Sequence, residues 1–162
     1  MTSVVRGERH LLATERSDPR TLERELSRVL ASALAELRPS FATTPIRAVA
    51  IDFHPWDPVL EISILTVAEW SADPLLLDER EQAAWSFFHA TDPKRRGDGL
   101  SAHPVARALH DRYRSHAGDR AARASLFASA RAALSSDVVQ SELARWSTHA
   151  ELALYASDPD GA

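Results

Sequence analysis

The sequence predicts an α+β domain, with a small antiparallel or mixed sheet (a hairpin plus a C-terminal strand) and several helices packed mainly on one face. Two stretches with the period of a strand, 46–53 and 59–67, are separated by only five residues, His54-Pro55-Trp56-Asp57-Pro58. Apolar residues recurring at helical spacing occupy most of the chain around them. A last strand-like piece at 151–156 follows those helices, and it can join the hairpin only by passing them.

The elements follow in order. Residues 1–17 are rich in charge and weak in periodicity, and read as a loose arm. Asp18 is placed to cap a helix, and Pro19 suits the first helical position because its missing N–H costs nothing there. Leu22, Leu26, Val29, Leu30, Ala33 and Leu37 then share a face, and Pro39 stops the helix. In 46–53 both faces are apolar, with Val49, Ile51 and Phe53 on one side and Ile46, Ala48 and Ala50 on the other, so this strand is central. In 59–67, Leu60, Ile62 and Ile64 alternate with Glu61 and Ser63, the pattern of a sheet solvated on one face.

The short linker makes the pair an antiparallel hairpin. A proline turn at 71–76 leads to a helix expected over 78–89, acidic in its first turn and apolar at Ala84, Trp85 and Phe88. The segment 91–100 is a loop. Helices are expected at 104–115, from the Asp119 cap to about 134, and from Asp137 through Trp146. The strand at 151–156 points Leu152 and Leu154 inward, and 157–162 is a frayed tail. The domain is therefore 18–156.

The chain has 162 residues, enough for one domain with a core of its own. It contains no cysteine, which excludes disulfides, thiolate nucleophiles and cysteine-bound zinc. The first twenty residues have no apolar segment of a secretory signal, and no apolar run approaches a bilayer-spanning length. A soluble, cytoplasmic protein is the expectation, with no membrane partner. The formal net charge of −4 argues against generic nucleic-acid binding. Neither G-x-x-x-x-G-K-[ST] nor G-x-G-x-x-G occurs, so no phosphate-cradling loop is expected.

The hairpin linker is the first candidate site. Two prolines restrict its backbone, and His54, Trp56 and Asp57 lie between or beside them. A tryptophan held there is either a recognition anchor or a cover over the end of the core. The second candidate is a charge split. Asp52, Asp57, Glu61, Glu69, Asp73, Asp78, Glu79 and Glu81 face a single base, Arg80, within 52–81. Nine cations against three acids follow between Lys94 and Arg131. An acidic hairpin-and-helix surface would steer a basic partner, whereas two solvated faces would merely offset each other. The partner-binding residues expected on this basis are His54, Trp56, Asp57, Glu61, Asp73, Asp78, Glu79 and Glu81.

Other chemistry is less specific. His54, His89, His103, His110 and His116, with Asp111, are possible metal ligands, but no H-E-x-x-H spacing occurs and no metal or cofactor is expected. Ser63, Ser86 and Ser101 stand outside any G-x-S-x-G, so no catalytic residue is assigned. Asp52 and Glu61 lie on neighbouring strands and could meet as a carboxylate pair. Lys94-Arg95-Arg96 could meet phosphate, or form a solvated loop. Leu126 and Val139 would mark an oligomer-forming helix face if exposed.

The segments IRAVAIDF, VLEISILTV, the Ala-Ala-Trp run ending at Trp85 and the closing ELALYASDPDG give the chain a pattern that resembles DUF4303-like bacterial domains of unknown function, over 22–161. Some small domains of this kind sit beside toxin genes, so the resemblance implies an immunity-type role and no catalytic residues. The combined expectation is a non-enzymatic protein-binding domain, of immunity or accessory type, that docks a basic protein. The alternative is a small hydrolase using histidine and carboxylate, with or without a metal.

Overall fold

A computed structural model describes residues 19–54, 56–91 and 99–156. The arm at 1–17, the Asp18 cap, the basic Lys94-Arg95-Arg96 run and the tail at 157–162 lie outside the described residues, as does the side chain of Glu79. The fold is α+β. Its helices are α1 (Pro19–Leu37), α2 (Val67–Ala72), α3 (Pro104–Ser115), α4 (Arg120–Leu134) and α5 (Asp137–Leu143). The strands are β1 (Ile46–His54), β2 (Val59–Thr66) and β3 (Thr148–Ala156).

The sheet is mixed and ordered β2-β1-β3. The hairpin is antiparallel, whereas β3, reached through the helices, runs parallel to β1 on its other side. β1 is central and buried along nearly its whole length, in line with its two apolar faces.

One face of the sheet carries the main core. Val49, Ile51 and Phe53 of β1 and Leu60, Ile62 and Ile64 of β2 join a buried cluster with the helices. α4 packs on β1 and β3, and α1 packs on α4 and α5. Leu26, Leu30 and Leu34 of α1 are fully buried, each stabilising the fold by about 1.5–3 kcal/mol. The α4 cap is Asp119, whose carboxylate accepts from Ala122 N at 3.0 Å. Leu126 and Val139 are buried, so the helix face expected to drive oligomers belongs to the core.

The other face is covered too, and here expectation and structure part. Ala48, Ala50 and Leu65 pack beneath Trp85, with Leu76, Leu77 and Tyr155 against them. Trp85 donates its indole N–H to the Leu76 carbonyl at 2.7 Å. Glu61 and Ser63, expected in solvent, are buried under this layer. The helix expected over 78–89 does not form. Glu79–Ala84 is a 3-10 turn capped by Asp78, after which the chain runs along the outer edge of β2. Ile64 N–H bonds to the Phe87 carbonyl and Ala90 N–H to the Ile62 carbonyl, so β2 takes the groups a helix would have used internally. His89, at φ 50°, sits in a conformation no α-helix contains. The sequence also hid α2, whose Thr66–Glu69 capping box ends β2. β3 starts three residues earlier than expected, and α5 stops at Leu143 rather than at Trp146.

Candidate functional site at the hairpin end

Strand alternation puts Ala48, Ala50, Asp52 and His54 on the second face of β1, and the register sets Asp52 opposite Glu61. The two residues are cross-strand neighbours, each only 4% exposed, but their carboxylates are engaged by different partners. Burying them requires that each be answered by hydrogen-bond donors.

Asp52 is answered by two imidazoles. His54, two residues on and on the same face, places Nε2 2.8 Å from Oδ1. His89, delivered by its left-handed backbone, places Nε2 against Oδ2. The His89 N–H is bound in turn by the Ser63 hydroxyl at 3.0 Å. An ionised carboxylate only accepts, so both imidazoles carry a proton on Nε2 and turn Nδ1 away from Asp52. The side chains of His54 and His89 remain 35% and 25% exposed.

Glu61 is answered by two hydroxyls. Thr91 donates to its Oε2, and Ser101 donates to its Oε1 at 2.5 Å. The same oxygens accept from β2, Thr91 from Ile62 N at 2.9 Å and Ser101 from Leu60 N at 3.1 Å. Glu61 thus fastens the segments on either side of 92–98 to the strand edge. A separate cavity of about 280 Å³ lies between α1 and this region, lined by Arg28, Ser32, Glu36, Thr91, Leu100 and His103.

The tip of the hairpin is aromatic. Trp56 is 37% exposed, stacks on His54 with centroids 5.0 Å apart, and meets Tyr113 of α3 edge-on at 6.2 Å. Asp57 beside it is exposed. Trp56 therefore neither folds into the core nor projects freely; it lies on an imidazole that a buried carboxylate holds in place.

Three further acidic residues of the 52–81 run, Glu69, Asp73 and Asp78, have local tasks. Burial raises the Glu69 carboxyl, but hydrogen bonds from Ser86 and Thr66 outweigh it and hold the group below its usual range. Asp73 caps the turn Pro74–Leu77. Asp78 is held at about 2 by hydrogen bonds from Arg80, whose own pKa is raised in return. Glu81 is exposed. With Asp52 and Glu61 turned inward, the acidic run is not a row of free surface charges. Glu61 in particular is removed from any docking face.

Of the histidines weighed as ligands, only His54 and His89 reach Asp52. His103 caps α3 by accepting from Val105 N, and His116 bonds the Arg112 carbonyl at the other end of the same helix. Among the described residues, no group of three or more His, Asp or Glu side chains could hold a metal ion. No described helix is long and apolar enough to cross a membrane. The sequence offered two usable signs of this site, the cross-strand placement of Asp52 and Glu61 and the two-residue spacing of Asp52 and His54 on one strand. His89 gave none, because its approach depends on the failed helix. Comparisons with family models, with curated proteins and with solved structures found no match.

Proposed function

We propose that this chain is a non-enzymatic protein-binding domain of immunity or accessory type, and that the tip of its β1–β2 hairpin docks a protein partner. The observation that carries this reading is Trp56, a large aromatic side chain left partly exposed yet fixed by its stack on His54. A ring already immobilised loses little entropy on being covered, which favours such residues as binding anchors. Asp57 supplies an exposed negative charge next to it, suited to a basic residue on the partner. The immunity-type label rests on the resemblance of IRAVAIDF, VLEISILTV and ELALYASDPDG to DUF4303-like domains.

The test is a pull-down comparing wild type with Trp56→Ala and Asp57→Ala, with a photocrosslinking residue at position 56 to identify what is touched. Expected is loss of the crosslinked partner from Trp56→Ala while its circular dichroism stays unchanged. Equal recovery by all three proteins would remove the hairpin tip as the docking element.

A second reading is favoured by the convergence of two histidines on one buried carboxylate. Asp52 orients both imidazoles, leaving Nδ1 of each to take or give a proton in a hydrolysis. The Ser101 hydroxyl is engaged by Glu61 and the Ser63 oxygen receives the His89 N–H, so water or a substrate hydroxyl would be the nucleophile. Hydrolysis of a model ester, lost equally in His54→Ala and His89→Ala, would favour this reading over docking.

A further inference from the structure

The cavity between α1 and the segment around Leu100 is independent of the hairpin tip, and its lining has two chemistries. The exposed lining residues make its mouth and the buried ones its floor. Arg28 and Ser32 stand one helical turn apart at the mouth, and His103, the cap of α3, joins them there. Neither the Arg28 guanidinium nor the Ser32 hydroxyl has a hydrogen bond or ion pair among the described residues. His103 accepts from Val105 N on Nδ1 at 3.2 Å, so Nε2 carries the proton, and that N–H has no partner among the described residues either. Three unanswered donors therefore line one mouth. Its single carboxylate, Glu36, is already engaged, and it lies two turns from Arg28, about 12 Å along the helix.

The floor is apolar. Ala33, Leu37 and Leu100 are buried there. The Thr91 hydroxyl, also buried, is committed twice, donating to Glu61 and accepting from Ile62 N. A polar group set on this floor would find no partner. The volume of about 280 Å³ equals that of about nine waters at ~30 Å³ each, close to the lower limit for small-molecule pockets. A chain or ring of about eight carbons is of that size.

We infer that this cavity is a binding site for a small monocarboxylic acid. The apolar body of the ligand lies on Ala33, Leu37 and Leu100, and its carboxylate stays at the mouth. There Arg28 holds the two oxygens as a fork, with the Ser32 hydroxyl and the His103 Nε2–H as further donors. Three donors with no protein partner call for an acceptor-only group, which an ionised carboxylate is. A phosphate monoester would bring a second negative charge into the mouth that Glu36 shares, so the single charge of a carboxylate fits better. A neutral alcohol of the same length would fill the floor and leave the Arg28 guanidinium unanswered.

The experiment is titration of the whole ¹⁵N-labelled chain with octanoate near neutral pH, followed through its amide shifts, with 1-octanol and octyl phosphate as comparison ligands. Saturable shifts are expected at 28–37 and 99–103, with 1-octanol bound about tenfold more weakly, as loss of a charge-assisted contact predicts. Arg28→Met, at an exposed helical position, is expected to weaken octanoate about tenfold and to leave 1-octanol unchanged, the second result showing the cavity intact. Absence of saturation by about 10 mM octanoate would overturn the inference. So would shifts confined to other segments, octyl phosphate bound more tightly than octanoate, or an Arg28→Met protein that binds octanoate as well as wild type.

Discussion

Replacing Asp52 by Asn tests whether the buried carboxylate organises the hairpin end. The substitution keeps the shape but changes one acceptor oxygen into an amide donor. One imidazole retains its bond, while the other finds an N–H facing its own Nε2–H. That histidine must change tautomer or abandon the contact. A lost hydrogen bond to a charged group is worth about 1.5–3 kcal/mol, and leaving a buried donor unanswered costs a similar amount. Both imidazoles are partly exposed, so water recovers some of this, and the net loss is about 1–2 kcal/mol. Urea unfolding would show a lower midpoint at an unchanged slope. In ¹⁵N spectra of the imidazoles, wild type should show Nε2–H on both rings, and Asp52→Asn should show Nδ1–H on one. If stability moves by less than about 0.5 kcal/mol, the scatter of an ordinary surface change, and both tautomers persist, Asp52 does not hold these rings.

Two further outcomes follow from the same region. Glu61→Ala should destabilise by about 2–4 kcal/mol, since it strands the Thr91 and Ser101 hydroxyls and opens a cavity, and hydrogen exchange should quicken at Leu60 and Ile62 N–H. Glu69, with its pKa lowered by folding, adds stability that is complete above its unfolded value near 4.5 and fades as pH falls through the depressed folded value. Glu69→Gln should flatten that part of the pH–stability curve, which thermal melts between pH 6 and about 3 would read.

The parts of the fold legible in the sequence were those decided locally. The leucine face of α1, the apolar alternation of β1 and the Asp119 cap each specify their element without help from distant residues. The helix misread at 78–89 shows the limit. Ala84, Trp85 and Phe88 have helical spacing, but the backbone beyond Trp85 gains more by closing the edge of β2, a competitor more than twenty residues away. The same layer explains why Glu61 and Ser63 looked solvated. Their alternation is that of a one-sided sheet, and nothing nearby in sequence announces the cover. At the site, the pairing of Asp52 with Glu61 and the two-residue step to His54 follow from hairpin register. The arrival of His89, Thr91 and Ser101 depends on the course of a segment that local pattern does not set.

The parallel pairing of β1 with β3 also fixes an order of events during synthesis. Ala48 finds its partner Ala153 only after more than a hundred further residues have been made. The hairpin, closed over the four residues 55–58, can assemble on the ribosome early, but one flank of its middle strand stays bare until the last helices have emerged and turned the chain back. Nascent chains stalled before residue 148 should therefore be caught with that flank open to chaperones, and release beyond residue 156 should be the step that makes the domain resistant to protease.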